Sequence, residues 1–163
     1  MLNQRILPDS FQLYLDPTLT TYQGKALSGH YLYDDEGVKG QRVDCVKDGY
    51  LRQYLMSRTP VKEFTGSNGH GRAANDRDPN PRQSNLIVET TAPYSETQLR
   101  NLLIEELKRQ GKEYGYYFRT VKGGFTTRGK ANAINAFNVS PIEVYRVFAD
   151  GRDDQLVRGV SLI

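Results

Sequence analysis

The chain has no tryptophan, one cysteine, two methionines and two histidines in 163 residues. A single cysteine, Cys45, excludes an intrachain disulfide framework, and a lone thiol suits a reducing, cytoplasmic compartment. No window approaches the roughly 18–20 apolar residues of a membrane-spanning helix, and the first residues form no apolar signal segment, so no membrane partner is expected. Neither sign of charge prevails: 22 basic residues stand against 19 acidic ones, a net charge of +3. A nucleic-acid partner is therefore not expected, since such domains concentrate basic residues on one face. What the chain does have is 11 tyrosines and 15 glycines, with 37% hydrophobic residues. That composition favours strands joined by tight turns around one ordinary core.

The pattern along the chain predicts an α+β fold, with mostly antiparallel twisted sheets and one main helix, over a single domain at 1–163. Residues 42–46 and 50–55 read as two strands around Asp48-Gly49, a pair suited to a type I′ turn because both central positions need positive φ. That turn sets Val46 opposite Leu51 and Val43 opposite Tyr54. Residues 65–84, rich in Gly, Pro, Asn and Asp, read as a long loop, which in a compact domain is functional or disordered. Residues 86–90 read as a strand. The helix is expected over Glu96–Gln110. Ser95 and Gln98 make a capping box, Gly111 is placed to end it in a left-handed conformation, and Leu99, Leu102, Leu103 and Leu107 form a stripe. Residues 116–121 read as a strand ahead of Gly123-Gly124 and a polar Gly/Asn/Ala stretch at 126–138. Residues 142–148 and 155–163 then form a second hairpin. The chain stops inside an apolar strand run, which is expected of a fragment.

Familiar catalytic patterns are missing. Neither His30 nor His70 belongs to a His-Glu-x-x-His type motif, and Cys45 has no paired cysteine, so a zinc site would need ligands gathered by the fold alone. Gly66-Ser67-Asn68-Gly69 does not have the spacing of a nucleophile elbow, and Gly69-His70-Gly71-Arg72 is not followed by the Lys-Ser/Thr of a phosphate loop. Asp34-Asp35-Glu36 ahead of Gly37 reads as a solvated turn. One region looks built for recognition: residues 67–72 with 80–86. Its glycines let a backbone approach closely, and its Arg and Asn side chains offer donors for an extended peptide or a carboxylate. The same residues equally suit a loop whose side chains bond its own carbonyls.

Several blocks in register resemble one family. They are Leu7-Pro8-Asp9, Asp16-Pro17-Thr18-Leu19, Tyr33-Asp34-Asp35-Glu36-Gly37, Gly49-Tyr50-Leu51 with Leu55-Met56-Ser57-Arg58, and Ser67-Asn68-Gly69-His70-Gly71-Arg72. Further on come Pro81-Arg82-Gln83-Ser84-Asn85-Leu86, Gly123-Gly124-Phe125-Thr126, Tyr145-Arg146-Val147, Asp150-Gly151-Arg152 and Val157-Arg158-Gly159-Val160. Together they are similar to the C-terminal half of the TldD/PmbA family, also called modulator of DNA gyrase. The resemblance implies a cytoplasmic zinc metallopeptidase acting on extended or unfolded peptides, as a homo- or heterodimer. It also implies that zinc is held in the full-length parent by a His-Glu-x-x-x-His helix and a Cys, all outside these 163 residues. No catalytic residue, metal ligand or bound zinc is then expected on this chain, which by itself should be inactive. What the resemblance does carry over is a set of substrate-binding candidates, Asn68, His70, Arg72, Arg82 and Asn85. Many members have Pro-Arg-Met-x-Asn where this chain has Gln83, which removes an apolar contact. The alternative is a non-catalytic module binding a peptide or partner through the 67–85 loop. A DNA-associated role, which the family's older name suggests, sits poorly with the balanced charge.

Overall fold

The computed structural model describes residues 2–127 and 136–162. The chain forms two compact units, Met1–Pro93 and Tyr94–Ile163.

The first unit is built on β1 (Phe11–Leu15), β2 (Thr21–Tyr22), β3 (Lys25–Ala26), β4 (Val43–Lys47), β5 (Tyr50–Leu51), β6 (Gly71–Arg72), β7 (Asn80–Pro81) and β8 (Leu86–Thr90). Four of these form an antiparallel sheet in the order β5-β4-β1-β8, while β2-β3 and β6-β7 are separate two-stranded ribbons. The expected turn is present: Asp48 and Gly49 have φ of 51° and 76°, and Val46 faces Leu51. The second strand is shorter than expected, however. The amides of Arg52 and Gln53 both turn back to the Cys45 carbonyl, at 2.8 and 3.5 Å, which bends the chain out of the ladder after Leu51. Val43 pairs with Leu15 instead of Tyr54, and Tyr54 packs edge-to-face on Phe64 with ring centroids 5.4 Å apart. Leu15, Val43, Cys45 and Val46 form the core cluster, flanked by Leu7, Leu13 and Leu55. Strands rich in β-branched and large apolar residues suit a pleated surface covered in this way. Cys45 is a packing residue here, and burial, reinforced by Asp44, pushes its thiol pKa up.

The second unit comprises α1 (Glu96–Gln110), β9 (Tyr114–Thr127), β10 (Ala136–Phe148) and β11 (Gln155–Val157), with the sheet in the order β11-β10-β9. The helix begins and ends where its caps predict. The Ser95 hydroxyl accepts from the Gln98 amide at 3.2 Å, Gln98 accepts from the Ser95 amide at 2.8 Å, and Gly111 is left-handed at φ 64°. The leucine stripe is only half covered: Leu107 is buried and Leu103 partly so, but Leu99 and Leu102 remain 53% and 42% exposed. The helix packs on β9, where Gly115 lies against the ends of Leu103 and Leu107; a Cβ there would come within 3.1 Å of both. Strand β9 runs on through Gly123-Gly124, longer than expected. Of the polar stretch at 126–138, residues 128–135 lie outside the described residues, and the rest belongs to β9 and β10. The β9–β10 register shifts on either side of Pro141. Of the final hairpin, β11 keeps only three residues, and the Leu162 carbonyl returns to accept from the Val139 amide at 2.9 Å.

Candidate substrate-binding loops

The five substrate-binding candidates all lie in the first unit, where ordinary strands give way to loops held by side chains. The acidic turn at 34–36 organises them, and it is not the solvated turn its composition implied. Asp34 is 5% exposed. Its Oδ1 accepts from the amides of Glu36 and Val38 at 3.0 and 2.8 Å, and its Oδ2 from the amide of Gly71 at 2.9 Å. Asp35 accepts from the Ala73 amide at 2.7 Å and from Arg72 Nε at 3.0 Å; these donors hold its carboxyl below the usual range. Glu36 accepts from the Arg58 amide at 2.6 Å. Three consecutive carboxylates thus fix the backbone at 58 and 71–73, segments more than twenty residues away in the chain.

Gly69 enters this assembly at φ 73°, with its Cα side pressed on the Lys39 carbonyl, so only glycine satisfies both the left-handed backbone and the close approach. Its carbonyl accepts from the Tyr31 hydroxyl at 2.9 Å. His70 follows with no exposed surface. Its Nδ1 lies 3.1 Å from the Asn68 carbonyl and its Nε2 3.1 Å from the Ser84 hydroxyl. A carbonyl can only accept, so Nδ1 carries the proton and Nε2 accepts from Ser84. Burial pulls the His70 pKa down and keeps the ring neutral. The imidazole therefore bridges the two recognition segments from within.

Asn68 and Asn85 have comparable posts. Asn68 accepts from the Met56 amide at 2.8 Å and donates to the Tyr54 carbonyl at 2.9 Å. Asn85 is 6% exposed; it accepts from the Gly29 amide at 2.7 Å and donates to the carbonyls of Asp16 and Leu19 at 3.1 and 2.7 Å. Asn68, His70 and Asn85 thus spend their polar atoms on this chain's own backbone and on Ser84. The arginines differ. Arg72 is half-buried, bonded through Nε to Asp35 and stacked over the Tyr31 ring at 4.4 Å, and Arg82 is exposed. Ribbon β6–β7 pairs Arg72 with Asn80, and the Arg82 amide donates to the His70 carbonyl at 2.9 Å. Arg72 and Arg82 border one depression of about 290 Å³, together with Arg77, Asp78 and Asn80. The structure therefore divides the five candidates into three that build the loops and two that face a cavity. The motif blocks spanned Asp34 and Ser84 without giving them a binding role, and they left out Tyr31 and Arg77. The first three act through partners far away in the chain, but Arg77 lay within the loop whose composition had been noted.

The donor set does not fit a catalytic zinc. His70 has both ring nitrogens engaged, Cys45 lies in the sheet core, and His30 is exposed with Nδ1 2.8 Å from the Pro17 carbonyl. Among the described residues, no three His, Cys, Asp or Glu side chains gather as a metal-holding group. No helix among them is long and apolar enough to cross a membrane.

Comparison with known proteins places the chain among relatives. Residues 1–161 match the family model described as the PmbA/TldA metallopeptidase C-terminal domain. A metalloprotease of Archaeoglobus fulgidus is 28% identical over 161 residues, covering 99% of this chain and 33% of that protein. A metalloprotease of Methanocaldococcus jannaschii is 30% identical over 135 residues, covering 82% of this chain and 27% of that protein. The chain therefore spans about a third of the length of the curated relatives it matches. The crystal structure of TldE from Thermococcus kodakarensis superposes with a TM-score of 0.57 at 17% identity, over 91% of this chain and 30% of that one, a likeness of fold.

Proposed function

Since the chain belongs to the PmbA/TldD metallopeptidase family, matching its C-terminal domain over residues 1–161, we propose that it is part of a cytoplasmic zinc metallopeptidase that cleaves extended or unfolded peptides. In this reading the zinc and its ligands are supplied by polypeptide outside these 163 residues, and the chain contributes substrate-cleft and dimer surface. The observation that carries the reading is the pairing of family membership with a rigid loop assembly. Asp34, His70 and Asn85 tie the two ends of the 67–85 region into the first unit and leave Arg72 and Arg82 at the rim of an open depression. A pre-set loop binds an extended chain without first being ordered, which lowers the entropic cost of association. Arg72 and Arg82 supply donors, and Asn68, His70 and Asn85 set their position.

The test is hydrolysis of an unstructured peptide by the full-length protein that carries this chain. Expected is chelator-sensitive cleavage, with Arg82→Gln raising KM several-fold while kcat holds. Cleavage that ignores chelators, or none at all with a range of unfolded peptides, would defeat the peptidase reading. The second reading, a non-catalytic module binding a peptide or partner through residues 67–85, rests on the same loop assembly and the open depression beside Arg72 and Arg82. It predicts peptide binding without turnover.

A further inference from the structure

The β6–β7 ribbon carries an arrangement of charge that its own contacts leave unanswered. In an antiparallel ladder, directly opposed residues share a face, and so do residues two apart on one strand. Arg72 is opposite Asn80, and Arg82 lies two residues beyond Asn80 with its amide on the His70 carbonyl, so Arg72, Asn80 and Arg82 share one face. The Arg72–Arg82 diagonal sets the two backbone positions about 7–8 Å apart, and both residues border the same depression. Arg77, from the loop joining the two strands, borders the same depression of about 290 Å³.

The three arginines are not equally free. Arg72 is fixed by its Nε bond to Asp35 and by the Tyr31 ring beneath it. Arg77 and Arg82 are exposed and hold no ion pair among the described residues. Asp78 is the acidic side chain on this rim, and Asp35, the partner of Arg72, offsets one positive charge. That leaves two guanidinium groups against one carboxylate, a local excess of positive charge around a recess that Ala73 and Ala74 also line. Guanidinium donors match the planar, two-oxygen geometry of a carboxylate better than they match any neutral group.

We propose that this depression is a carboxylate subsite. It receives an acidic group of an extended peptide, with Arg72 as the fixed arm, Arg82 as the opposing arm, Arg77 closing from the loop and the Asn80 side chain beside them. The proposal rests on the peptide-holding reading above and adds to it a preference for negative charge. The carboxylate could come from a Glu or Asp side chain or from the C-terminus of the peptide.

The test uses the full-length protein and short fluorescent peptides of otherwise identical Gly/Ser/Ala sequence. One is amidated and uncharged, one is amidated with a central Glu, and one is uncharged with a free C-terminus. Fluorescence anisotropy should show one or both carboxylate peptides binding about tenfold more tightly than the uncharged one, with the gain shrinking as salt rises. The Arg77→Gln/Arg82→Gln double variant, which changes two exposed side chains, should lose that gain, so that it binds the carboxylate peptides no more tightly than the uncharged one. Whichever peptide shows the gain identifies the source of the carboxylate. Equal affinity for all three peptides overturns the carboxylate subsite and leaves the peptide-holding reading in place. If none of the three binds, the peptide-holding reading itself fails and the subsite fails with it.

Discussion

The loop assembly of the first unit and the helix-and-ribbon of the second reach order by opposite routes. In the second unit, the backbone satisfies itself. Strands β9 and β10 pair along most of their length, α1 closes its own ends, and charged side chains decorate the surface, as in the Arg100–Asp154 pair. In the first unit, segments 28–40 and 67–85 have almost no ladder, and buried side chains take the place of strand neighbours. Asp34 receives three amides and Asn85 bonds three backbone groups. A ladder spreads its stability over many equivalent bonds, whereas such a hub concentrates it in a few atoms that have no substitutes. The first kind tolerates point changes, and the second fixes a surface loop rigidly at the risk of losing all of it at once.

If that contrast is right, Asp34→Ala should be the most damaging single change. It strands three backbone donors in a buried place and should cost about 3–5 kcal/mol. Urea unfolding followed by amide exchange in residues 34–38 and 71 would measure it, and a loss below 1 kcal/mol would remove the hub from the comparison. Asn85→Ala, which frees one amide and two carbonyls, should cost about 2–3 kcal/mol by the same measurement.

His70 offers a pH test confined to the first unit. Its folded pKa lies below the ordinary 6.5, so the unfolded chain binds the proton more readily. Stability from this group is complete above pH 6.5 and declines as pH falls from there toward the depressed value. The urea midpoint of the wild type should therefore drop just below pH 6.5, and His70→Gln should flatten that part of the profile; an unchanged slope would mean the ring is not held neutral. In the second unit, Ser95→Ala should cost about 1 kcal/mol, seen as faster exchange at the first turn of α1. The smallest effect should come from Arg100→Ala, below about 1 kcal/mol in a thermal melt, because the pair is partly exposed. A cost equal to that of Asp34→Ala would erase the distinction between the two units.

The same contrast explains what could be read in advance. Elements whose determinants lie within a few residues were legible. The Ser95–Gln98 box and Gly111 bounded the helix, Asp48-Gly49 defined the hairpin turn, and Leu86–Thr90 showed as a strand. The fold class was legible too, and so was the family, because its motifs are short and ordered. Asp34 was not. Its composition looked like a surface turn, and only the approach of Gly71, 37 residues later, turns it into a buried anchor. The leucine stripe misled in the other direction. Helical period shows which residues share a face but not how much sheet will cover them, and Leu99 and Leu102 stay largely exposed. Among the candidate site residues, motif matching did not separate those that hold the loops from those that face the cavity. That distinction depends on burial.

Pro141 has a consequence for how the end of the chain finds its place. The Val139 amide points to the Leu162 carbonyl, so the backbone position two residues on faces the same side of β10. There the proline ring has no hydrogen to offer. The pairing of Val144–Arg146 with β11 and the return of Leu162 to Val139 keep one alignment, which sets Val160 opposite that ring. One imino acid thus splits the edge of the sheet into two short grips, β11 on one side and Leu162 on the other, with a gap between them where no rung can form.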